Sequence, residues 1–176
     1  MRNTTLILLA LVLAALATTT GGGTGTPTGG GSTTPTFQAT IGGVAVDVVL
    51  PNGDWSRGAV SPNSFTINGP NSVAITVTSL ASAVGLGKND MDALCKDKLA
   101  EKSNALTTGT KVVVSKNSAG VTYALRSYES GGNVYFVGVS GTGTCGVLLY
   151  AKVPKAQKSA VQDTLKSILN ALALSK

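Results

Sequence analysis

The chain has 176 residues, of which 43% are hydrophobic and 12% are charged, and its formal net charge is +6 at pH 7. This hydrophobic fraction excludes a wholly disordered chain, and the length suits one folded domain once the terminal segments are set aside. The sequence contains no histidine, which excludes Ser-His-Asp catalysis, Cys-His catalysis and histidine-ligated zinc within this chain.

Residues 1–17 have the pattern of a secretory signal peptide. Arg2 provides a positive start, residues 6–17 form an apolar run, and Ala15-Leu16-Ala17 matches the small-x-small pattern that signal peptidase cleaves. The run is shorter than the roughly 20 apolar residues of a membrane span, although a retained anchor is the alternative. No later stretch approaches that length. We therefore predict an exported, extracytoplasmic chain with no transmembrane segment after cleavage.

Residues 18–36 consist of Thr, Gly, Pro and Ser alone. Such a segment has no apolar surface to offset the entropy lost on ordering, so it is predicted to be a flexible linker with a span of roughly 25 Å. Two interpretations are open: a stalk that holds the domain away from a surface, with glycosylation on threonine, or a linker left at a processed terminus. Residues 37–176 form the predicted single folded domain.

Short β-branched runs separated by turn residues predict seven strands in this domain. The runs lie at residues 44–50, 64–67, 72–79, 111–115, 121–128, 134–140 and 144–153. In the third run, Val73, Ile75 and Val77 alternate with small or polar residues, which is typical of a sheet with one buried face. The last four runs are joined by short turn-like segments, so neighbouring strands are predicted to pair antiparallel.

Two amphipathic helices are also predicted, one after the third strand and one at the end of the chain. Asn89 is a suitable N-cap for the first helix, with Asp90 and Asp92 in its first turn and Asp92 spaced to pair with Lys96. The apolar stripes are Met91, Leu94, Cys95 and Leu99 in the first helix, and Val161, Leu165, Ile168, Leu169 and Leu172 in the second, which begins near Pro154. This element order predicts an α+β fold: an antiparallel sheet of about six or seven strands with two packed amphipathic helices.

Cys95 and Cys145 are the only cysteines. In an exported chain two cysteines most often form a disulfide, and this one would close a loop of about 50 residues and contribute roughly 4 kcal/mol. We predict this disulfide, with two buried thiols as the alternative because Cys95 lies on an apolar stripe. A catalytic thiol is not expected, since there is no histidine to activate it.

Two further patterns resemble functional motifs but have simpler explanations. Residues 141–146 satisfy G-x-G-x-x-G, yet they precede a predicted strand rather than the helix that a dinucleotide site needs, so they are interpreted as a hairpin turn. Asp90 and Asp92 point in different directions on a helix, which favours capping over metal binding. The sequence therefore predicts no catalytic residue, no metal site and no cofactor.

The basic residues indicate a possible partner surface. Lys152, Lys155, Lys158 and Lys166 gather around the terminal helix, where a polyanion contact is one interpretation. A solvated face is the favoured interpretation, and no nucleic acid is expected as a partner because no nucleic-acid motif accompanies the lysines. The only tryptophan, Trp55, is either a core residue or part of the partner surface.

The segment Pro51-Asn52-Gly53-Asp54-Trp55 and the order of elements are similar to the PsbP-like (Mog-type) α/β/α sandwich family, which includes bacterial envelope proteins of the DcrB and LpqN type. The resemblance covers about residues 37–174. It implies a non-catalytic binding or assembly-support module and carries over no functional residue, because members of the family bind very different partners. This chain departs from the pattern by Asp54 before the tryptophan and by the lack of a lipobox cysteine.

These features predict that the chain is not an enzyme. We predict an exported binding or assembly-support domain that acts on a protein or cell-envelope partner. A subunit of a surface filament or layer is the alternative, because the Thr/Gly linker would be able to order on assembly. An unrecognised extracytoplasmic enzyme is the third hypothesis.

Overall fold

The computed structural model describes residues 36–51, 53–80, 87–103 and 109–176. These residues belong to one compact unit. The predicted signal peptide and residues 18–35 of the predicted linker lie outside the described residues. Neither helix within the described ranges has the length and apolar character that a membrane crossing needs.

The described residues form ten β-strands and two α-helices. The strands are β1 (Thr36–Ile41), β2 (Val44–Val49), β3 (Ser56–Ser61), β4 (Ser64–Asn68), β5 (Ala74–Leu80), β6 (Thr110–Lys116), β7 (Thr122–Ser130), β8 (Asn133–Gly141), β9 (Gly146–Pro154) and β10 (Ala173–Ser175). The helices are α1 (Lys88–Ser103) and α2 (Lys158–Ala171), and short 3-10 turns lie at Pro70–Ser72 and Lys155–Gln157. Every predicted strand and helix is present, and strand ends differ by one or two residues.

The strands form two sheets rather than one. Seven strands pair antiparallel in the order β3-β4-β5-β9-β8-β7-β6 and make up a large sheet. β1, β2 and β10 form a separate three-stranded sheet. The structure confirms the α+β class and the seven-stranded antiparallel sheet with two helices. It corrects the composition of that sheet, because β2 lies in the small sheet and β3 takes the seventh place.

The turn between β7 and β8 illustrates how local sequence sets the register. Gly131 and Gly132 have φ values of +57° and +79°, a pair of left-handed conformations that glycine adopts without steric cost. A two-residue turn of this kind matches the twist of the flanking strands. It places Ser130 opposite Asn133 and thereby Tyr128 opposite Tyr135.

The inner face of the large sheet packs against the small sheet and α2. Phe65 and Leu149 from the large sheet, Val46 from β2 and Leu165 from α2 are buried in this core. All five residues of the stripe predicted for the terminal helix belong to it. The inner core therefore joins the small sheet, α2 and the large sheet in one apolar cluster.

The outer face of the large sheet carries α1. Met91, Cys95 and Leu99 of α1 are fully buried on this face. Their partners in the sheet are Ala124, Val137, Val139 and Leu148. The two helices therefore cover opposite faces of the large sheet. As a result, residues on both faces are buried in the middle of the sheet. The expectation of a single buried face is correct for β5 but wrong for β8, where residues 136–141 are all buried.

Asp92 on α1 turns toward the sheet instead of toward water. Its carboxylate accepts hydrogen bonds from Nε and Nη2 of Arg126 on β7 at 3.0 and 2.8 Å. Asp92 therefore pairs with Arg126 and not, as predicted, with Lys96. Asp90 lies in the first turn of α1, as predicted.

Candidate functional site

The two cysteines do not form the predicted disulfide. Cys95 and Cys145 are both free and both buried. Cys95 belongs to the outer cluster under α1, whereas Cys145 belongs to the inner core. The prediction is wrong because a disulfide between them would have to pass through the large sheet.

The environment of Cys95 also makes it a poor nucleophile. Its Sγ donates a hydrogen bond to the carbonyl oxygen of Val137 at 3.1 Å. Burial is the main reason that the pKa of the Cys95 thiol is raised to about 12, and Arg126 lowers it only in part. Because the thiolate is the reactive form, Cys95 acts as a small core residue.

The residues of the predicted partner surface (Trp55, Lys152, Lys155, Lys158 and Lys166) do not form one continuous patch in the structure. Lys155 and Lys158 hold the carboxylate of Glu129 at 2.9 and 2.6 Å. These two hydrogen-bonded ammonium groups lower the pKa of Glu129 to about 2. Lys166 lies 3.6 Å from Asp163 on α2. Three of the four lysines are therefore paired with carboxylates within the described residues.

Trp55 is half-buried and packs against the inner core. Its ring covers Gly69, because a Cβ atom on that glycine would lie only 2.5 Å from Cζ3 of Trp55. Trp55 therefore has a packing role at the end of the sheet that carries β3 and β4. It lies on the inner side of the molecule, and Lys152 lies on the outer face.

Lys152 is part of a cluster of tyrosines and lysines on the outer face, beside α1. Tyr135 lies directly opposite Lys152 in the β8–β9 register, and Tyr150 lies opposite Val137. The Nζ atom of Lys152 is 5.4 Å from the centre of the Tyr135 ring, and Nζ of Lys102 is 5.5 Å from the centre of the Tyr150 ring. Both are cation–π contacts, which help to hold the ammonium groups in place.

A set of hydroxyl groups continues this cluster across the neighbouring strands. Thr76 on β5 lies opposite Tyr150 on one side and opposite Thr66 on the other. Thr78 lies opposite Ser64 one step along the same two strands. The side chains of Ser64, Thr66, Thr76 and Thr78 are all half-buried. We call the combined surface the tyrosine–threonine face, and it comprises Thr66, Thr76, Tyr135, Tyr150, Lys102 and Lys152.

The tyrosine–threonine face is open because α1 covers only part of the sheet. The helix packs mainly on β6, β7 and β8 and covers Leu148 of β9, whereas Thr66, Thr76 and Tyr150 on the same face are partly exposed. The four strands β4, β5, β8 and β9 contain no Asp or Glu. Burial, and after it the neighbouring Tyr135, raise the pKa of Tyr150, while Lys152 lowers it. The face is therefore aromatic, rich in hydroxyl groups and locally positive.

Two shallow cavities lie elsewhere in the described part of the chain. One, of about 430 Å³, is lined by Thr36, Phe37, Gln38 and Asp47 of the small sheet. The other, of about 340 Å³, is lined by Gly87, Lys88, Val114, Ser115, Lys116 and Thr122. Neither lining brings together an acid and a base, and the described residues contain no cluster of three metal-ligating side chains.

The G-x-G-x-x-G string at residues 141–146 is the turn between β8 and β9, as predicted. The backbone N–H of Thr142 donates to the carbonyl oxygen of Cys145 at 2.9 Å and closes this turn. No helix follows it, so the backbone amides do not form the phosphate cradle of a dinucleotide site. The interpretation as a hairpin turn is therefore confirmed.

Comparisons with protein-family models and with curated proteins give no match for this chain. Among solved structures, it is similar to LpqN of Mycobacterium tuberculosis, a protein described as involved in cell envelope biogenesis, with 13% identity and a TM-score of 0.46 over 81% of this chain and 91% of LpqN. It is also similar to a protein of Bacteroides thetaiotaomicron, with 14% identity and a TM-score of 0.45 over 74% of this chain and 45% of that protein. Both similarities concern the fold alone, and membership of the PsbP-like family stays a prediction.

The sequence pattern did contain part of the signal for the tyrosine–threonine face. Thr76 is one of the outward residues of the alternating strand β5, and Tyr150 and Lys152 alternate with buried residues in β9. What the pattern lacks is the strand order. Because residues 81–145 lie between β5 and β9, their outward side chains become neighbours only in the folded sheet.

Proposed function

We propose that this chain is a non-catalytic binding domain of the extracytoplasmic space, which attaches to a protein or cell-envelope component through the tyrosine–threonine face. The predicted signal peptide at residues 1–17 supports the location. The observation that carries the proposal is the partly exposed row of Thr66, Thr76 and Tyr150 on three neighbouring strands. Side chains in a row of this kind can make several weak contacts with a partner at once, which favours a binding role over a catalytic one.

The state of the ionisable groups supports a non-catalytic role. Asp92 is bound to Arg126 and Glu129 is bound to two lysines, so both carboxylates have structural partners. The pKa of Cys95 is raised to about 12, mainly by burial. A general acid or base works best when its pKa lies near the operating pH, and the pKa values of Cys95, about 12, and Glu129, about 2, are far from neutral pH.

The edges of the large sheet favour a binding domain over a filament that grows by strand addition. The edge strand β6 carries Lys111 and Lys116 near its two ends, and both edge strands, β3 and β6, have an irregular register with their neighbours. Edge lysines and β-bulges are devices that oppose pairing with a further strand. The surface-filament alternative would therefore need an interface other than these edges.

The test is retention of the purified chain on cell-envelope fractions of the native organism. Thr76→Glu places a longer, charged side chain in the middle of the face and should lower the retained fraction about tenfold. Thr40→Glu is the matched control, because Thr40 is exposed on β1 of the small sheet, and it should be retained like the wild-type chain. Equal retention of both variants would mean that the face is not the binding site.

A further inference from the structure

We infer that the partner of the tyrosine–threonine face is an anionic polysaccharide, meaning a sugar polymer that carries carboxylate or phosphate groups. This inference rests on the proposed function, since it names the chemistry of the partner. Three properties of the face lead to it: its charge, its aromatic rings and its hydroxyl groups.

The charge of the face requires an anionic partner. Lys102 and Lys152 are exposed, and neither forms a salt bridge with another described residue. The strands that form the floor contribute no carboxylate to offset them. The nearby Lys98 is already bound to Glu101 at 2.7 Å. Charge complementarity therefore selects a negatively charged ligand, and the cation–π contacts keep both ammonium groups over the floor.

The tyrosine rings, each with a lysine ammonium group over one face, supply apolar edges and hydroxyl tips for contact with sugars. Tyr135 lies opposite Lys152 and Tyr150 lies opposite Val137, so the two tyrosines are diagonal neighbours on adjacent strands, about 7 Å apart. Both rings are half-buried and pack against the outer cluster. A tyrosine held in this way offers an apolar surface with a polar tip at low entropic cost.

The threonine hydroxyls match a partner that is itself rich in hydroxyl groups. Thr66 and Thr76 lie directly opposite each other, with their Cβ atoms about 5 Å apart. Within the described residues, neither hydroxyl forms a hydrogen bond. Each hydroxyl is therefore available as both donor and acceptor.

A protein partner fits the face less well. Protein interfaces have an apolar centre, whereas Val60, at 43% exposure, is the only large hydrophobic residue that is exposed in the described part of the chain, and it lies on β3. The combination of two lysines, two tyrosines and a hydroxyl row lacks such a centre. These are the groups that recognise charged, hydroxyl-bearing polymers.

The test measures binding of the purified full chain to two anionic polymers, polygalacturonic acid for carboxylate and poly(glycerol phosphate) teichoic acid for phosphate. We expect binding to at least one of them, and the difference between them identifies the anionic group. Fully methyl-esterified polygalacturonate is the neutral control and should not bind. Raising the ionic strength from about 0.01 M to about 1 M shortens the Debye length from about 30 Å to about 3 Å and should remove most of the binding.

Three double variants, one of them a control, test whether the binding occurs at the tyrosine–threonine face. Lys102→Gln with Lys152→Gln should weaken it about tenfold, whereas Lys166→Gln with Lys176→Gln removes the same charge elsewhere and should leave it within about twofold of wild type. Thr66→Val with Thr76→Val should weaken binding and preserve folding, because valine suits a strand as well as threonine does.

The outcomes separate this inference from the proposed function. Failure of both polymers to bind, with envelope retention still sensitive to Thr76→Glu, would overturn the polysaccharide and leave the binding face intact. If Thr76→Glu were retained on the envelope like the wild-type chain, both the polysaccharide inference and the proposed binding face would be overturned. Equal binding of poly-glutamate or single-stranded DNA would also overturn the inference, because charge without sugar would then be sufficient.

Discussion

Arg126 on β7 binds Asp92 on α1 through two parallel hydrogen bonds of 3.0 and 2.8 Å, and Nη1 of the same arginine donates to the carbonyl oxygen of Gly109 at 3.3 Å. The side chains of Arg126 and Asp92 are only 12% and 21% exposed. Paired geometry of this kind fixes the orientation of both groups. The pair therefore determines how α1 sits on the outer face beside the tyrosine–threonine face.

Replacing Asp92 should destabilise the protein. We expect Asp92→Ala to lower the free energy of unfolding by about 1–3 kcal/mol, because it leaves a largely buried guanidinium without its carboxylate. Asp97→Ala removes an exposed acid from the same helix and should change stability by less than about 0.5 kcal/mol. Urea denaturation of the two variants makes the comparison, and equal midpoints would contradict the role given to the pair.

Asn117 should be required to hold the end of α2. Its Nδ2 donates to the carbonyl oxygens of Leu169 and Leu172 at 3.0 and 2.7 Å, which are among the carbonyl groups that a helix end leaves unpaired. Asn117→Ala should therefore cost about 1–3 kcal/mol of stability. Ser118→Ala, an exposed change in the same turn, is the control and should cost less than about 0.5 kcal/mol.

Glu129 should titrate far below an ordinary glutamate. Hydrogen bonds from Lys158 and Lys155 lower its pKa from the usual 4.5 to about 2. The folded-state pKa is below the unfolded one, so the stabilisation is fully present above about pH 4.5 and is lost as the pH falls toward about 2. An NMR titration of the Glu129 side chain should give the low value. In Lys155→Gln with Lys158→Gln it should move up toward 4.5, and an unchanged value would contradict the assigned cause.

The cysteines should remain free thiols in the exported protein. Cys95 and Cys145 are buried on opposite sides of the large sheet, so neither should react with iodoacetamide at pH 8 while the chain is folded. Unfolding in guanidinium without reductant should make both thiols reactive, and this is measured by intact mass. A chain that needs a reductant before it reacts would contain a disulfide and would contradict the placement of these residues.

Residues that repeat with a regular period predicted their elements well. Ile75 and Val77 alternate in β5, and Val161, Leu165 and Ile168 recur at helical spacing in α2. These patterns depend on neighbours in sequence, because the period of a strand or a helix is a property of the local backbone. The elements not predicted from the sequence are β1, β3 and β10. β3 is almost entirely exposed and β10 has only three residues, whereas β1 does alternate, with Phe37, Ala39 and Ile41 on its more buried side, and was not recognised.

Burial in a strand such as β8 has a different origin. Val137 is covered by α1 and Phe136 is covered from the inner side, so the two faces are closed by segments that lie far apart in the chain. The packing of segments that are distant in sequence also explains two other features. It places Cys95 and Cys145 on opposite sides of the sheet, and it makes Thr76 and Tyr150 neighbours. Local periodicity shows which side chains share a face of one segment, and the hydrogen-bonded order of distant strands establishes which faces meet. For this protein, the amino-acid pattern was sufficient for both helices, seven of the ten strands and the fold class, whereas the folded sheet produced the candidate binding face.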